Sequence, residues 1–294
     1  MNPRNAIDMG RKTMKNSYTS LPIALALALG LFTVSGNAIA GDITTQDKED
    51  IQNTIVRYKA AVGMNPKNPK NHLALANAYH MSGDFDNAIK SFKEVIKLTP
   101  DSSDAYIGVS RALVRKGDDA GALQALQDAS LCNPNSADIH YKIGNLYVRQ
   151  KNMEKAIVSY RQALKLDNNH YESHRELGAA LGLKGDIKGQ IEEEKKALSI
   201  KPDDGDSLYY LGTAYVNLDR KAEAIPLLEK CVRVDPRNAD AYRYLAGIKA
   251  ADGEFKVAIG FAQKAVDIKP DNKSYQMTLE KIKAAASKTA SKSK

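Results

Sequence analysis

The chain has 294 residues, 43 Lys+Arg against 35 Asp+Glu, 43% hydrophobic residues and a formal charge of +8. Ordinary hydrophobic and charged content excludes wholesale disorder, a collagen-like sequence and a polytopic membrane protein. Two cysteines cannot make a disulfide scaffold, so the informative question is where the excess positive charge sits.

Taken from the N-terminus, Arg4, Arg11, Lys12 and Lys15 stand against Asp8, and residues 21–34, LPIALALALGLFTV, carry no charge. Those 14 residues fall short of the roughly 20 that a bilayer needs. Ala38 and Ala40 then supply the small residues of a signal-peptidase site. The layout predicts a secretory signal over residues 1–40, cleaved after Ala40, and a periplasmic or secreted mature protein. If uncleaved, the same segment would anchor the chain to the inner membrane. The basic leader is long for such a signal, and a start at Met14 would give a more usual proportion. No cysteine follows the small-residue site, so no lipid anchor is expected.

From Pro69 to Asn272 the sequence aligns with itself in six rows of 34 residues, at 69–102, 103–136, 137–170, 171–204, 205–238 and 239–272. One column reads Pro100, Pro134, Asn168, Pro202, Pro236, Pro270; another reads Ala88, Ala122, Ala156, Gln190, Ala224, Ala258. Small residues recur at Ala76, Ser110, Gly144, Gly178, Gly212 and Ala246. Within the first row, Leu75, Ala76 and Tyr79, and then Ala88, Phe92 and Val95, fall three or four apart, so each row encodes two amphipathic helices. Gly83-Asp84, Gly117-Asp118 and Gly185-Asp186 lie between them, glycine ending one helix and aspartate capping the next. The row-end proline stops the second helix. Small residues at the crossing let the helices approach closely.

Rows such as NPKNHLALANAYHMSGDFDNAIKSFKEVIKLTP and GDSLYYLGTAYVNLDRKAEAIPLLEKCVRVDP resemble tetratricopeptide repeats (TPRs). That resemblance implies an all-α fold, a right-handed superhelical solenoid of helix-turn-helix repeats. Outside the rows, residues 41–68 contain QDKEDIQNTIVRYKAAVGM, similar to a second repeat helix, with Thr54, Tyr58 and Ala61 in the packing slots. It is expected to cap the N-terminal end. Residues 273–286 read as a C-terminal capping helix with Tyr275 and Leu279 inward, and 287–294 as a disordered Lys/Ser/Ala tail.

The leader and the lysines at 281, 283, 288, 292 and 294 together account for the whole formal charge, leaving residues 41–280 balanced. A broadly basic surface for nucleic acid is therefore not expected. Membrane contact is expected only through an uncleaved signal or, weakly, through the lysine tail.

The resemblance further implies a non-enzymatic scaffold of the cell envelope, with no catalytic residue, cofactor or metal. It would hold protein partners against the first helices of the rows, which line a concave groove. The exposed positions of that face are Asn77, Arg111, Arg115, Tyr141, Asn145, Arg149, Arg175, Tyr209, Thr213 and Arg243. Arginine forks carboxylates, asparagine bonds a backbone in both directions and tyrosine offers rigid apolar contact, so a peptide or helix bearing acidic groups is the expected partner. The carboxylate clamp of some family members keeps only its Asn77 counterpart and is not expected. The rival expectation is a self-associating array at the envelope surface, or a regulatory subunit of an envelope assembly, secretion or polysaccharide-export complex.

The fourth row departs from the pattern. Gln190 and Glu194 fill packing slots and Gly182 sits late in its first helix, so loose packing is expected there. Pro226 should bend its helix at most. His170 and His174 have a helical metal-ligand spacing, but His174 falls in the packing slot of His72, Tyr106, His140 and Tyr242, and burial is the preferred reading. Cys132 and Cys231 are nearly three rows apart, about 30 Å if stacked helices lie about 10 Å apart, beyond disulfide reach.

Overall fold

The structure is a computed structural model that describes residues 45–292, and the signal segment and its cleavage site lie outside them. Fourteen helices and no strand occur among the described residues. A long helix α1 (Thr45–Met64) precedes six pairs: α2 (Pro69–Ser82) with α3 (Phe85–Leu98), α4 (Ser103–Lys116) with α5 (Asp119–Cys132), α6 (Ala137–Arg149) with α7 (Met153–Leu166), α8 (Tyr171–Leu183) with α9 (Ile187–Ile200), α10 (Gly205–Asn217) with α11 (Lys221–Val234), and α12 (Ala239–Ala251) with α13 (Phe255–Ile268). Helix α14 (Lys273–Lys292) ends the series. No described helix is long and apolar enough to cross a membrane.

The helix boundaries follow from local chemistry. Asp84, Asp118 and Asp186 each accept a hydrogen bond from the backbone N–H three residues on, satisfying a donor that the first turn leaves open. Before them Gly83, Gly117 and Gly185 take φ of 82°, 84° and 84°, a left-handed turn that glycine makes without Cβ conflict. In the third and fifth rows Lys151 and Asp219 hold that conformation at φ of 59° and 58°.

The chain divides into two compact units, and the division falls within α6. The first comprises the described chain up to Pro134 together with Asn145–Asn152. Its core gathers Leu75, Ala76, Tyr79, Ala88, Phe92, Val109 and Ala125. Phe92 of α3 reaches into the following row, where Gly108 leaves room for it: a Cβ there would sit 2.3 Å from the ring. Helix α1 covers the end of this core through Ile51, Ile55, Tyr58 and Val62, a stripe spaced by three and four. Ile55 is the buried member. The expected inward Thr54 instead turns its hydroxyl to the Asp50 carbonyl, because a branched aliphatic chain one position along fills the space better. Across rows, Lys116 clasps Asp86, and Arg149 donates to Asp119 at 3.0 Å.

The second unit comprises Asn135–Gly144 and the chain from Met153. Its packing repeats one device, a small residue opposite a large one sixteen positions later. A Cβ on Gly144 would meet the Tyr160 ring at 2.4 Å, one on Gly178 would meet Glu194 Oε1 at 2.7 Å, and one on Gly212 would meet Leu228 Cγ at 2.8 Å. Lys184 clasps Glu154 across rows. Helix α14 closes the unit by burying Tyr275, Leu279 and Ile282 against α12 and α13. It continues to Lys292, so residues 287–292 are helical where disorder was expected. Alanines 284–286 favour the helix, and Ser287 and Thr289 turn their hydroxyls back to carbonyls one turn earlier.

At Gln190 and Glu194 the fourth row is packed where looseness was expected. Glu194 is fully buried and Gln190 is 6% exposed. Gly182 makes room for the Gln190 amide, which donates to the Tyr210 carbonyl at 3.1 Å. The polar side chains and the two glycines are thus complementary parts of one interface between α8 and α9. Glu194 has no well-formed hydrogen bond at either oxygen, and the Ser207 hydroxyl that faces it, likewise without one, offsets only part of the effect of burial on its carboxyl.

Candidate partner-binding site

In the first unit Asn77, Arg111, Arg115, Asn145 and Arg149 come from α2, α4 and α6. Asn77 and Arg111 are one period apart and their side chains meet, Arg111 Nη2 donating to Asn77 Oδ1 at 2.8 Å. That acceptor is neutral, so the guanidinium keeps its full charge while partial desolvation lowers its pKa. One turn further along α4, Arg115 lies 5.3 Å above the Phe85 ring, a cation–π contact that also leaves its charge uncompensated. Arg149 is different, since Asp119 holds it through both Nε and Nη2 at 3.0 Å.

The sequence reading missed a member of this group. His80 follows Asn77 by three residues, packs edge-on against Phe85 with centroids 5.4 Å apart, and has a buried Nε2 with no hydrogen-bond partner. Burial first, then the positive charges of Arg111 and Arg115, push its pKa down from 6.5 to about 4. The signal was available: three residues from Asn77 is the same helix face. At neutral pH the cluster is two arginines beside an uncharged imidazole, an arrangement suited to a carboxylate. In a ¹⁵N–¹H histidine titration, His80 is expected to protonate near pH 4, and an anion seated on Arg111 should move that midpoint upward. A midpoint near 6.5 in the free protein would remove the electrostatic argument.

In the second unit the expected residues are Tyr141, Arg175, Tyr209, Thr213 and Arg243. Here the arginines are spent internally. Arg175 Nη2 donates to Glu176 Oε1 at 2.8 Å, and its Nη1 lies 3.4 Å from Asp206 and 3.8 Å from Asp204. Arg243 pairs with Asp240 at 3.3 Å and stacks 4.7 Å from the Tyr244 ring. Thr213, expected to be exposed, is buried and gives its hydroxyl to the Tyr210 carbonyl at 3.0 Å, the usual recourse of a helical threonine with no room to turn outward. Tyrosines dominate the rest: Tyr209 packs 5.4 Å from Tyr210 and 6.0 Å from Tyr244, while Tyr141 lies 5.3 Å from His170. This face offers aromatic surface with its charges already paired.

The groups weighed for other chemistry are occupied. His170 caps α8 by accepting from the Ser173 N–H at 3.2 Å. His174 is buried, with Nδ1 2.6 Å from Glu193 and Nε2 2.9 Å from the Asn168 carbonyl. Burial alone would lower its pKa, but the Glu193 and Asn168 bonds outweigh burial and raise it. Both cysteines are free thiols, and burial pushes Cys231 up to about 12, which makes it inert. Among the described residues no group of histidine, cysteine and carboxylate side chains is arranged to hold a metal.

Sequence models described as tetratricopeptide repeat match residues 79–146 and 209–273, and one described as TPR repeat matches 144–185, together more than half of the chain. No curated protein matches the sequence. Among solved structures, pilF of Pseudomonas aeruginosa aligns over 74% of this chain and 96% of its own at 13% identity, with a TM-score of 0.64. The C-terminal part of a TPR repeat-containing protein from Cytophaga hutchinsonii aligns over 80% and 96% at 18% identity, with a TM-score of 0.63. YrrB, described as a TPR protein with an unusual peptide-binding site, aligns over 63% and 95% at 19% identity, with a TM-score of 0.52. These likenesses concern the fold, and they agree with the 34-residue period, the paired helices and the small-to-large contacts. The chain belongs to the tetratricopeptide repeat family.

Proposed function

We propose that the protein is an exported, non-enzymatic scaffold of the bacterial cell envelope that holds an acidic segment of a partner protein on the Asn77–His80–Arg111–Arg115 face of its first unit. Membership of the repeat family and the likeness to other repeat proteins support an interaction scaffold. The basic leader, the short apolar stretch and the Ala38–Ala40 site support export. The observation that carries the acidic partner is the pair Arg111 and Arg115, which has no carboxylate of its own, whereas Arg149, Arg175 and Arg243 do. A carboxylate arriving there gains charge-assisted bonds without displacing an internal acid. The peptide-binding site named for YrrB supports an extended segment as one form of partner.

The test is capture of envelope proteins by the full chain, followed by affinity measurement for the acidic segment identified. Arg111→Gln with Arg115→Gln is expected to weaken binding by about tenfold or more, roughly 1.4 kcal/mol. Arg175→Gln should leave binding unchanged, since that guanidinium is committed. Equal losses from both changes, or none from the first, would overturn the assignment. Sedimentation across a concentration range separates this reading from self-association: a monomer that still captures partners supports it, and an oligomer indifferent to Arg111 and Arg115 removes it.

A further inference from the structure

A cavity of about 550 Å³ opens in the second unit where the end of α7 and the loop after it meet α8 and α9. Its volume lies in the range of small-molecule pockets, about 300–1,000 Å³. Leu164, Leu177 and Ile200 supply an apolar wall, and Arg161, Lys165 and Lys196 bring positive charge to the lining. The one lining carboxylate, Glu193, is already engaged, bonded to His174 at 2.6 Å and to Lys196 at 3.0 Å. Lys196 is further held by Glu192 at 2.9 Å. Arg161 and Lys165 have no ion-pair partner among the described residues.

The combination is peculiar to this junction. The period places Ser91, Ala125, Ser159, Leu227 and Phe261 where Glu193 stands, so no other row sets a carboxylate at that slot. In the fourth row Glu193 is drawn into a pair with His174, and the open space beside that pair is lined by two uncompensated cations.

We propose that this cavity binds a small amphiphilic anion, a carboxylate or phosphate head on a short aliphatic stem, with the head held by Arg161 and Lys165 and the stem laid against Leu164, Leu177 and Ile200. The site is separate from the face assigned to the protein partner and does not depend on it. An anionic head suits the excess of cations, and the aliphatic stem suits the apolar wall, which a bare inorganic ion would leave uncovered.

Hexanoate and hexyl phosphate serve as probes against the full ¹⁵N-labelled chain, with hexylammonium and hexanol as controls of the same stem. The buried ring of His174, which lines the cavity, is the reporter, and the rings of His72 and His140, outside the lining, are internal references. The expected result is saturable movement of the His174 signals at millimolar or lower concentrations of one or both anions. A response to one anion identifies the head group. Arg161→Gln with Lys165→Gln should weaken that response about tenfold while the free-protein spectrum and helicity stay unchanged. The proposal is overturned if neither anion moves the His174 ring, if hexylammonium moves it equally, or if the folded double variant binds as tightly as the parent.

Discussion

Replacing Glu194 with leucine is expected to stabilise the second unit by about 1–3 kcal/mol at neutral pH, the usual cost of a buried polar group left without a well-formed hydrogen bond. The carboxyl is fully buried against Gly178, and neither oxygen has a hydrogen-bond partner. Burial raises its pKa well above 4.5, although the Ser207 hydroxyl and the Arg175 charge pull the other way. The folded state therefore favours the neutral acid, while the unfolded chain loses the proton near 4.5. This contribution is most favourable at and below that value, declines as pH rises toward the raised folded value, and is level beyond it. The leucine variant lacks the dependence, so its advantage should grow with pH over that interval. The fifth row already contains the substituted arrangement, with Leu228 packed on Gly212. Urea unfolding and amide exchange of α8 and α9 between pH 4 and 8 measure the effect. A variant less stable than the parent at pH 7, or an advantage that does not change with pH, would contradict it.

Phe92→Ala is expected to cost about 3–5 kcal/mol in the first unit, as for other fully buried aromatic residues cut to alanine. Phe92 is 1% exposed, and its ring occupies the volume that a side chain at Gly108 would need. The ring belongs to one row and the glycine to the next, so the substitution loosens the joint as well as the core. Gly108→Ala alone should cost about 1–3 kcal/mol through overpacking. Introducing Phe92→Leu first should reduce that cost, with a coupling above about 0.5 kcal/mol in a double-mutant cycle. Strict additivity of the two changes would show that the ring and the glycine do not interlock.

The backbone of this protein is legible in its sequence because repetition averages away local ambiguity. Lys151 would not by itself suggest a left-handed turn, yet the column it shares with Gly83, Gly117 and Gly185 does, and its φ is 59°. The candidate face was legible only as three columns of positions, one helical turn apart. Arg111 and Arg175 occupy related places, but the acids that engage Arg175 come in part from Asp204, which ends its own row, and Asp206, which lies in the next. Their reach depends on side-chain direction rather than spacing, and that is what separates an available guanidinium from a committed one. The fourth row differs from its sequence expectation for a related reason. Gln190 and Glu194 are misfits against a column of small and aromatic residues, but they fit Gly182 and Gly178 opposite them. Complementarity between two helices is a property of pairs, and reading down columns does not display it.

The clasps of Lys116 with Asp86, Arg149 with Asp119, and Lys184 with Glu154 each join residues 30 positions apart in neighbouring rows. A basic residue near the end of one row's first helix meets an acidic residue near the start of the preceding row's second helix. The second and third rows therefore each carry half of the joint to the row before and half of the joint to the row after. Tandem duplication of such a segment reproduces matching halves at the new seam, while insertion of a fraction of a row does not. This asymmetry gives lineages of such a chain a natural increment of growth, the whole row, in which length changes without either neighbouring row acquiring a new surface.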